Sequence, residues 1–168
     1  TLVIASISSC FPVNPVREGL TMLDRSFIGH TFDPVSIEVE KGQLKFFAKA
    51  TGENNPVYSD EATAKAAGHP ALPAPPTFLF SLGLMGPEPY PVLSLLNIDI
   101  GKVLHGEQRF TYSGQIYAGD TITRTETIRD IYDKKGGALE FIVHETEAVN
   151  QRGEVVGTAT TVTVVRNG

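Results

Sequence analysis

The stretch TFLFSLGLM, positions 77–85, constrains the chain most. It is apolar on nearly every side of a helical projection and carries no charge to turn toward water. A helix of that kind is expected to be fully buried. Its limits are also marked. Pro70, Pro73, Pro75 and Pro76 forbid regular structure ahead of it, and Pro75 or Pro76 suits a first helical turn, where a missing N–H costs little. GPEPYP, 86–91, breaks it.

The rest of the chain has to supply the cover. From about residue 102 it reads as strand after strand. VLHGEQRFTYS leads to a turn at Ala118-Gly119-Asp120. TITRTETIRDIYD leads to the hairpin turn KKGG, ALEFIVHETEAVN to a turn from Asn150 to Gly153, and EVVGTATTVTVVR closes the series. Thr and Val dominate these runs, as a half-solvated antiparallel sheet prefers. A long meander is expected. Ahead of it, VSIEVE alternates like a short strand. EKGQLKFFAKATG places Leu44, Phe47 and Ala48 on one helical face, and Gly52 is positioned to end that helix. In DEATAKAAG, Asp60 is an N-cap candidate and Gly68 a C-cap candidate.

A sheet with one apolar face must cover that face, and the helix beginning near Thr77 is the natural cover. The expected class is therefore α+β, a hotdog fold: a curved antiparallel sheet wrapped around a buried central helix. One sheet edge stays free, so pairing with a second copy or a homologous chain is expected. The length of 168 residues suits a single domain, assigned to residues 22–168. Residues 1–21 read differently, apolar and then Pro-rich. Ile7-Ser8-Ser9-Cys10 resembles a lipoprotein cleavage box, but no basic segment precedes it and the apolar run is too short to span a bilayer. An N-terminal extension or an extra strand is expected there, with Met22 an alternative start.

A net charge of -5 with no run of Lys or Arg excludes nucleic acid as an expected partner. One cysteine, Cys10, rules out an internal disulfide and a Cys-based metal site, and it suits the cytoplasm. No His, Asp or Glu group has metal-ligand spacing, so no metal or cofactor is expected.

The stretch GENNPVYSDEATAKAAGHPALPAPPTFLF resembles the MaoC-like dehydratases, or (R)-specific enoyl-thioester hydratases, and is closest to their N-terminal-type domain. LHGEQRFTYSGQIYAGDTI, 104–122, is similar to a strand and turn of the same subfamily. The likeness spans about residues 22–167. It implies an acyl-CoA or acyl-carrier-protein thioester as ligand. In active members a signature Asp and His activate the water that adds to the enoyl thioester, and a backbone N–H at the start of the central helix polarises its carbonyl. Such chemistry needs a base within reach of water and a donor facing the developing oxyanion.

Carried over by position, the pattern holds at Gly52, Asn55, Pro56 and Asp60 and departs at the reacting groups. Glu53 stands in the Asp place and Tyr58 in the His place. A phenol with a pKa near 10 is a poor base at neutral pH. Ala74-Pro75-Pro76-Thr77 stands where Ala-His-Gly-Met is usual, so Pro76 removes the donor N–H. The resemblance therefore implies a non-catalytic-like hotdog subunit that binds the acyl chain through Asn55, Pro75, Pro76, Thr77 and His105. It would form a homodimer, or a heterodimer with a catalytic MaoC-like partner. Two alternatives stand beside this: a self-sufficient hydratase using Glu53 with Tyr58 or His69, and a non-enzymatic acyl-CoA-binding dimer. Lys102 and Arg109 are candidates for a CoA phosphate. Asp120 is read as a turn cap, His144 as solvent-facing, and His30 as a turn residue.

Overall fold

The computed structural model describes residues 22–167. The expectations for residues 1–21 lie outside them. Five strands form one antiparallel sheet: β1 (Val35–Glu38), β2 (Val103–Tyr112), β3 (Thr121–Lys134), β4 (Leu139–Val149) and β5 (Val155–Arg166), in the order β1-β3-β4-β5-β2. Four α-helices accompany it: α1 (Lys41–Ala50), α2 (Glu61–Ala66), α3 (Phe78–Leu84) and α4 (Pro91–Leu95).

The local signals act where the sequence puts them. Leu44 and Ala48 are the buried residues of α1, and Gly52 follows that helix at φ 71°. The Asp60 carboxylate accepts from Thr63 N at 2.7 Å, capping α2. Gly68 ends that segment at φ 91°. Between β3 and β4, Lys135, Gly136 and Gly137 all have positive φ, the left-handed backbone that tight hairpins need.

The meander reading fails at its first step. β3, β4 and β5 do run as consecutive hairpins, but β2 pairs with β5 at the far edge. The segment between β2 and β3 cannot fold back as a hairpin because its backbone is spent elsewhere. Ser113 and Gly114 N–H donate to Val156 O, Ile116 O accepts from Ala74 N, and Ala118 N donates to Leu72 O. The Pro-rich segment thus holds this crossover. Asp120 closes it, accepting from Tyr117 N at 2.8 Å and from Gln151 Nε2 at 2.9 Å.

α3 lies on the apolar face of the sheet, as a hotdog requires, but it is not fully buried. Phe78, Leu79 and Leu82 are enclosed, whereas Phe80 and Leu84 are 38% and 42% exposed and Met85 38%. The sheet covers one side of the helix, and the other opens onto a cavity and its rim. α4 had no counterpart in the sequence reading. A short helix after Pro91 shows no long apolar period, and only Val92 of it is buried. The outer edge of β2 has no strand partner among the described residues. No helix among them is long and apolar enough to cross a membrane.

Candidate functional site

The loop carrying the signature residues, 51–60, is held by its own side chains. Glu53 Oε1 accepts from Asn55 N at 2.8 Å, and Asn55 Oδ1 accepts from Val57 N at 3.1 Å. The Asn55 bond caps the 3-10 turn Pro56–Tyr58. Glu53 is exposed and bonded within its own loop rather than to another titratable group. Tyr58 is half-buried. His69, after α2, places Nδ1 3.4 Å from the Tyr117 hydroxyl. No hydrogen bond or ion pair joins Glu53, Tyr58 and His69 to one another in the described residues.

At the start of α3, Pro75 is buried while Pro76 and Thr77 are exposed. Pro75 O accepts from Phe78 N at 2.9 Å. A small pocket here is lined by Ala74, Pro75, Pro76, Leu79, Tyr112 and Gly114. Tyr112 went unnoticed in the sequence, where it is one aromatic among several on an edge strand. Burial pushes its phenol up to about 12, so it stays protonated and can only donate its proton in a hydrogen bond or accept one.

Further along α3 lies a cavity of about 280 Å³. Leu79, Phe80, Leu84, Val92, Leu104 and Ala159 give it apolar walls. His105 stands at the mouth, edge-on to Phe80 at 5.4 Å between ring centroids. The cavity also takes in polar groups of the sheet: Gln108, Arg124, Glu126, His144, Thr146, Thr161 and Thr163. His144 is the clearest correction. It does not face solvent; its side chain is 14% exposed, with Nδ1 2.7 Å from Glu126 Oε1 and Nε2 3.1 Å from Thr163 Oγ1. Strand alternation assigns two faces but does not say which is inside. Arg109 pairs with its neighbour Glu107 at 2.6 Å on the surface, and Lys102 is exposed in the 3-10 turn Ile100–Lys102. Among the described residues no group of three or more His, Cys, Asp or Glu side chains has the arrangement to hold a metal ion.

The family model described as "FAS1-like, dehydratase domain region" matches residues 26–159. The chain belongs to this family. A UPF0336 protein of Streptomyces coelicolor is 38% identical over 145 residues, covering 86% of this chain and 95% of that one. A UPF0336 protein of Thermobifida fusca is 37% identical, covering 86% and 94%. Among solved structures, the C-terminally truncated HadBC complex of Mycobacterium tuberculosis, a 3R-hydroxyacyl-ACP dehydratase, superposes with a TM-score of 0.70 at 25% identity, covering 82% of this chain and 96% of that chain. A MaoC-like dehydratase superposes at 0.74 with 22% identity, covering 84% of this chain and 42% of that one. The hotdog architecture and the membership of a dehydratase family are thereby established.

Within this FAS1-like dehydratase region, Asp60 has a measurable consequence. Its hydrogen bonds to Thr63 hold its pKa below the ordinary 3.8. A carboxylate with a depressed folded-state pKa stabilises the fold above the unfolded value, and the contribution is lost as pH falls through the folded value. Asp60→Asn retains a capping oxygen but cannot titrate. The variant is expected to show a shallower loss of stability as pH is lowered through and below 3.8 than the parent does, read from urea midpoints at successive pH values. An identical acid profile would contradict the assignment.

Proposed function

We propose that the chain is the acyl-binding hotdog subunit of an (R)-3-hydroxyacyl-thioester dehydratase or enoyl-thioester hydratase, with the acid–base groups supplied by a partner hotdog. The observation that carries this is a separation: a largely apolar cavity runs beside α3, while Glu53 is exposed and bonded within its own loop. Apolar cavities with a few polar groups suit an acyl chain. A hydrating site would also need a base poised over water and a donor at the oxyanion, and Pro76 has no N–H. Loss of one such donor alone costs about a hundredfold or more in rate. The free outer edge of β2 and the exposed Phe80, Leu84 and Leu104 beside the cavity mouth favour a partner on that side. HadBC is a complex of hotdog proteins, and so is the ChsH1-ChsH2 complex of Mycobacterium tuberculosis, which superposes at 0.65 with 24% identity.

The test is hydration of crotonyl-CoA by the purified chain and by its Glu53→Gln variant. Both are then repeated with a hotdog subunit carrying the intact Asp-x-Asn-Pro-x-His signature. The chain alone is expected to show no turnover above background, and the mixture is expected to exceed the catalytic subunit assayed by itself. Turnover by the chain alone that disappears in Glu53→Gln would establish a self-sufficient hydratase instead. Saturable acyl-CoA binding with no gain from any partner would leave a non-enzymatic binding dimer.

A further inference from the structure

The core of this hotdog is not continuous. Buried apolar residues form two clusters, one around Phe78, Leu79 and Leu82, the other around Val92, Ile142 and Val165. The division runs diagonally across the sheet. On β3, Ile122 belongs to the first cluster and Ile128 to the second, with Arg124 and Glu126 between them on the same face. On β4, Ala148 and Ile142 flank Thr146 and His144; on β5, Ala159 and Val165 flank Thr161 and Thr163. Three neighbouring strands thus interrupt their apolar face along one diagonal, Glu126 standing opposite Thr146 and His144 opposite Thr161, and all six interrupting side chains line the cavity beside α3.

Stability does not call for such a strip. Burying polar groups costs free energy unless each is bonded, and aliphatic residues there would join the two clusters. Nor is the strip fully satisfied. Arg124 Nε has no partner among the described residues, and Arg124 Nη2 reaches Thr146 Oγ1 only at 3.4 Å. His144 Nδ1 approaches Glu126 off the axis of a good hydrogen bond. Elsewhere, the buried Glu140 and Asp120 have both carboxylate oxygens bonded. Two of the three unpaired buried side-chain atoms among the described residues, Arg124 Nε and His144 Nδ1, lie where the wall meets the cavity, at its less exposed end; the third is Gln43 Oε1 on α1. The Glu126 and His144 side chains are 12% and 14% exposed, against 59% for Ile100 and 47% for Leu104 on the rim.

Arg124 is also held in position. A Cβ on Gly83 would lie 3.0 Å from Arg124 Nη2, so the guanidinium packs directly against α3, where a side chain would displace it. Gly83 is six residues beyond Thr77, about 9 Å along a helix. An acyl chain with its thioester at the start of α3 would bring its distal carbons to this level.

We propose that the strip is a specificity site for a hydroxyl group on the acyl chain, remote from the thioester. The hydroxyl oxygen accepts from Arg124 and its O–H donates a hydrogen bond to Glu126, beside which stands His144, itself bonded to Thr163. A carboxylate would set a second negative charge beside Glu126, and a plain alkyl chain would leave the guanidinium without a partner. This inference rests on the acyl-binding reading above and adds the substrate class to it.

The test is calorimetric titration of the protein, in the assembly in which it purifies, with octanoyl-CoA and with omega-hydroxyoctanoyl-CoA. The hydroxylated probe is expected to bind about tenfold or more tightly, the effect of one hydrogen bond to a charged group. Arg124→Met and Glu126→Gln are each expected to bring the ratio of the two affinities toward unity, with folding checked by thermal melting. If Arg124→Met does not fold, Glu126→Gln decides. A parental ratio of one or less, or a ratio unchanged in the folded variants, overturns the specificity site while acyl binding stands. Absence of saturable binding by either probe overturns the acyl-binding reading and this inference with it.

Discussion

Phe78→Ala is expected to lower the stability of the domain by about 3–5 kcal/mol, the range for truncating a buried aromatic. Phe78 is the first residue of α3 and has no solvent exposure. Its ring meets Phe47 of α1 edge-to-face, with centroids 5.4 Å apart. The side chain therefore joins the central helix to the outer helix in the larger apolar cluster. Removing it forfeits the transfer free energy of the ring and leaves a cavity between two helices that backbone hydrogen bonds restrain. Such an edge-to-face pair adds about 0.5–1.5 kcal/mol beyond the area it buries. Urea unfolding is expected to show a lower midpoint with an unchanged slope. Phe46→Ala is the control: Phe46 is on α1, next to Phe47, and at 73% exposed should change little. Equal effects at the two positions would contradict the packing assigned to α3.

Glu140→Ala is expected to cost about 2–6 kcal/mol, from two donors left unmet at about 1–3 kcal/mol each. Glu140 is 1% exposed near the start of β4. One carboxylate oxygen accepts from Leu23 N at 2.7 Å and the other from Asn167 Nδ2 at 2.6 Å. A single buried carboxylate thus ties both ends of the described chain to the sheet. Asn167 keeps a second contact, to Gly137 O at 3.0 Å, so the Leu23 end should loosen more. Amide hydrogen exchange provides the check: protection at Leu23 is expected to fall furthest, and that in the centre of β4 to follow the global stability only. Glu140→Gln keeps one acceptor and is expected to lose less than Glu140→Ala. A loss in Glu140→Gln as large as in Glu140→Ala would assign the effect to the negative charge and not to the paired hydrogen bonds.

Much of this architecture is written locally. Asp60 caps α2 because its own carboxylate reaches Thr63 N, three residues on. The turn after β3 forms because Gly136 and Gly137 tolerate positive φ. Asn55 shapes its loop through Val57 N, two residues away. The resemblance to the family was legible in two stretches, the loop and helix from Gly52 to Phe80 and the strand and turn of 104–122, and the family match spans residues 26–159.

What needed the tertiary structure involves partners distant in sequence. β2 pairs with β5 because Leu72 and Ala74 take up the backbone of the crossover, and no turn residue announces that. TFLFSLGLM implied a helix covered on every side, yet Phe80 and Leu84 open onto a cavity, since a single sheet can cover only one side of it. The strip formed by Arg124, Glu126, His144, Thr146, Thr161 and Thr163 is the extreme case. Within each strand it is an ordinary polar interruption, with the two-residue alternation unchanged. Which face is enclosed, and which residues stand level across the sheet, depend on strand register. Register is set by interactions between β3, β4 and β5, not within any one of them. The sequence by itself determined the five strands, the helices α1 to α3 and their caps and turns, because those signals lie within each segment. The tertiary structure alone decided which polar side chains meet inside the cavity.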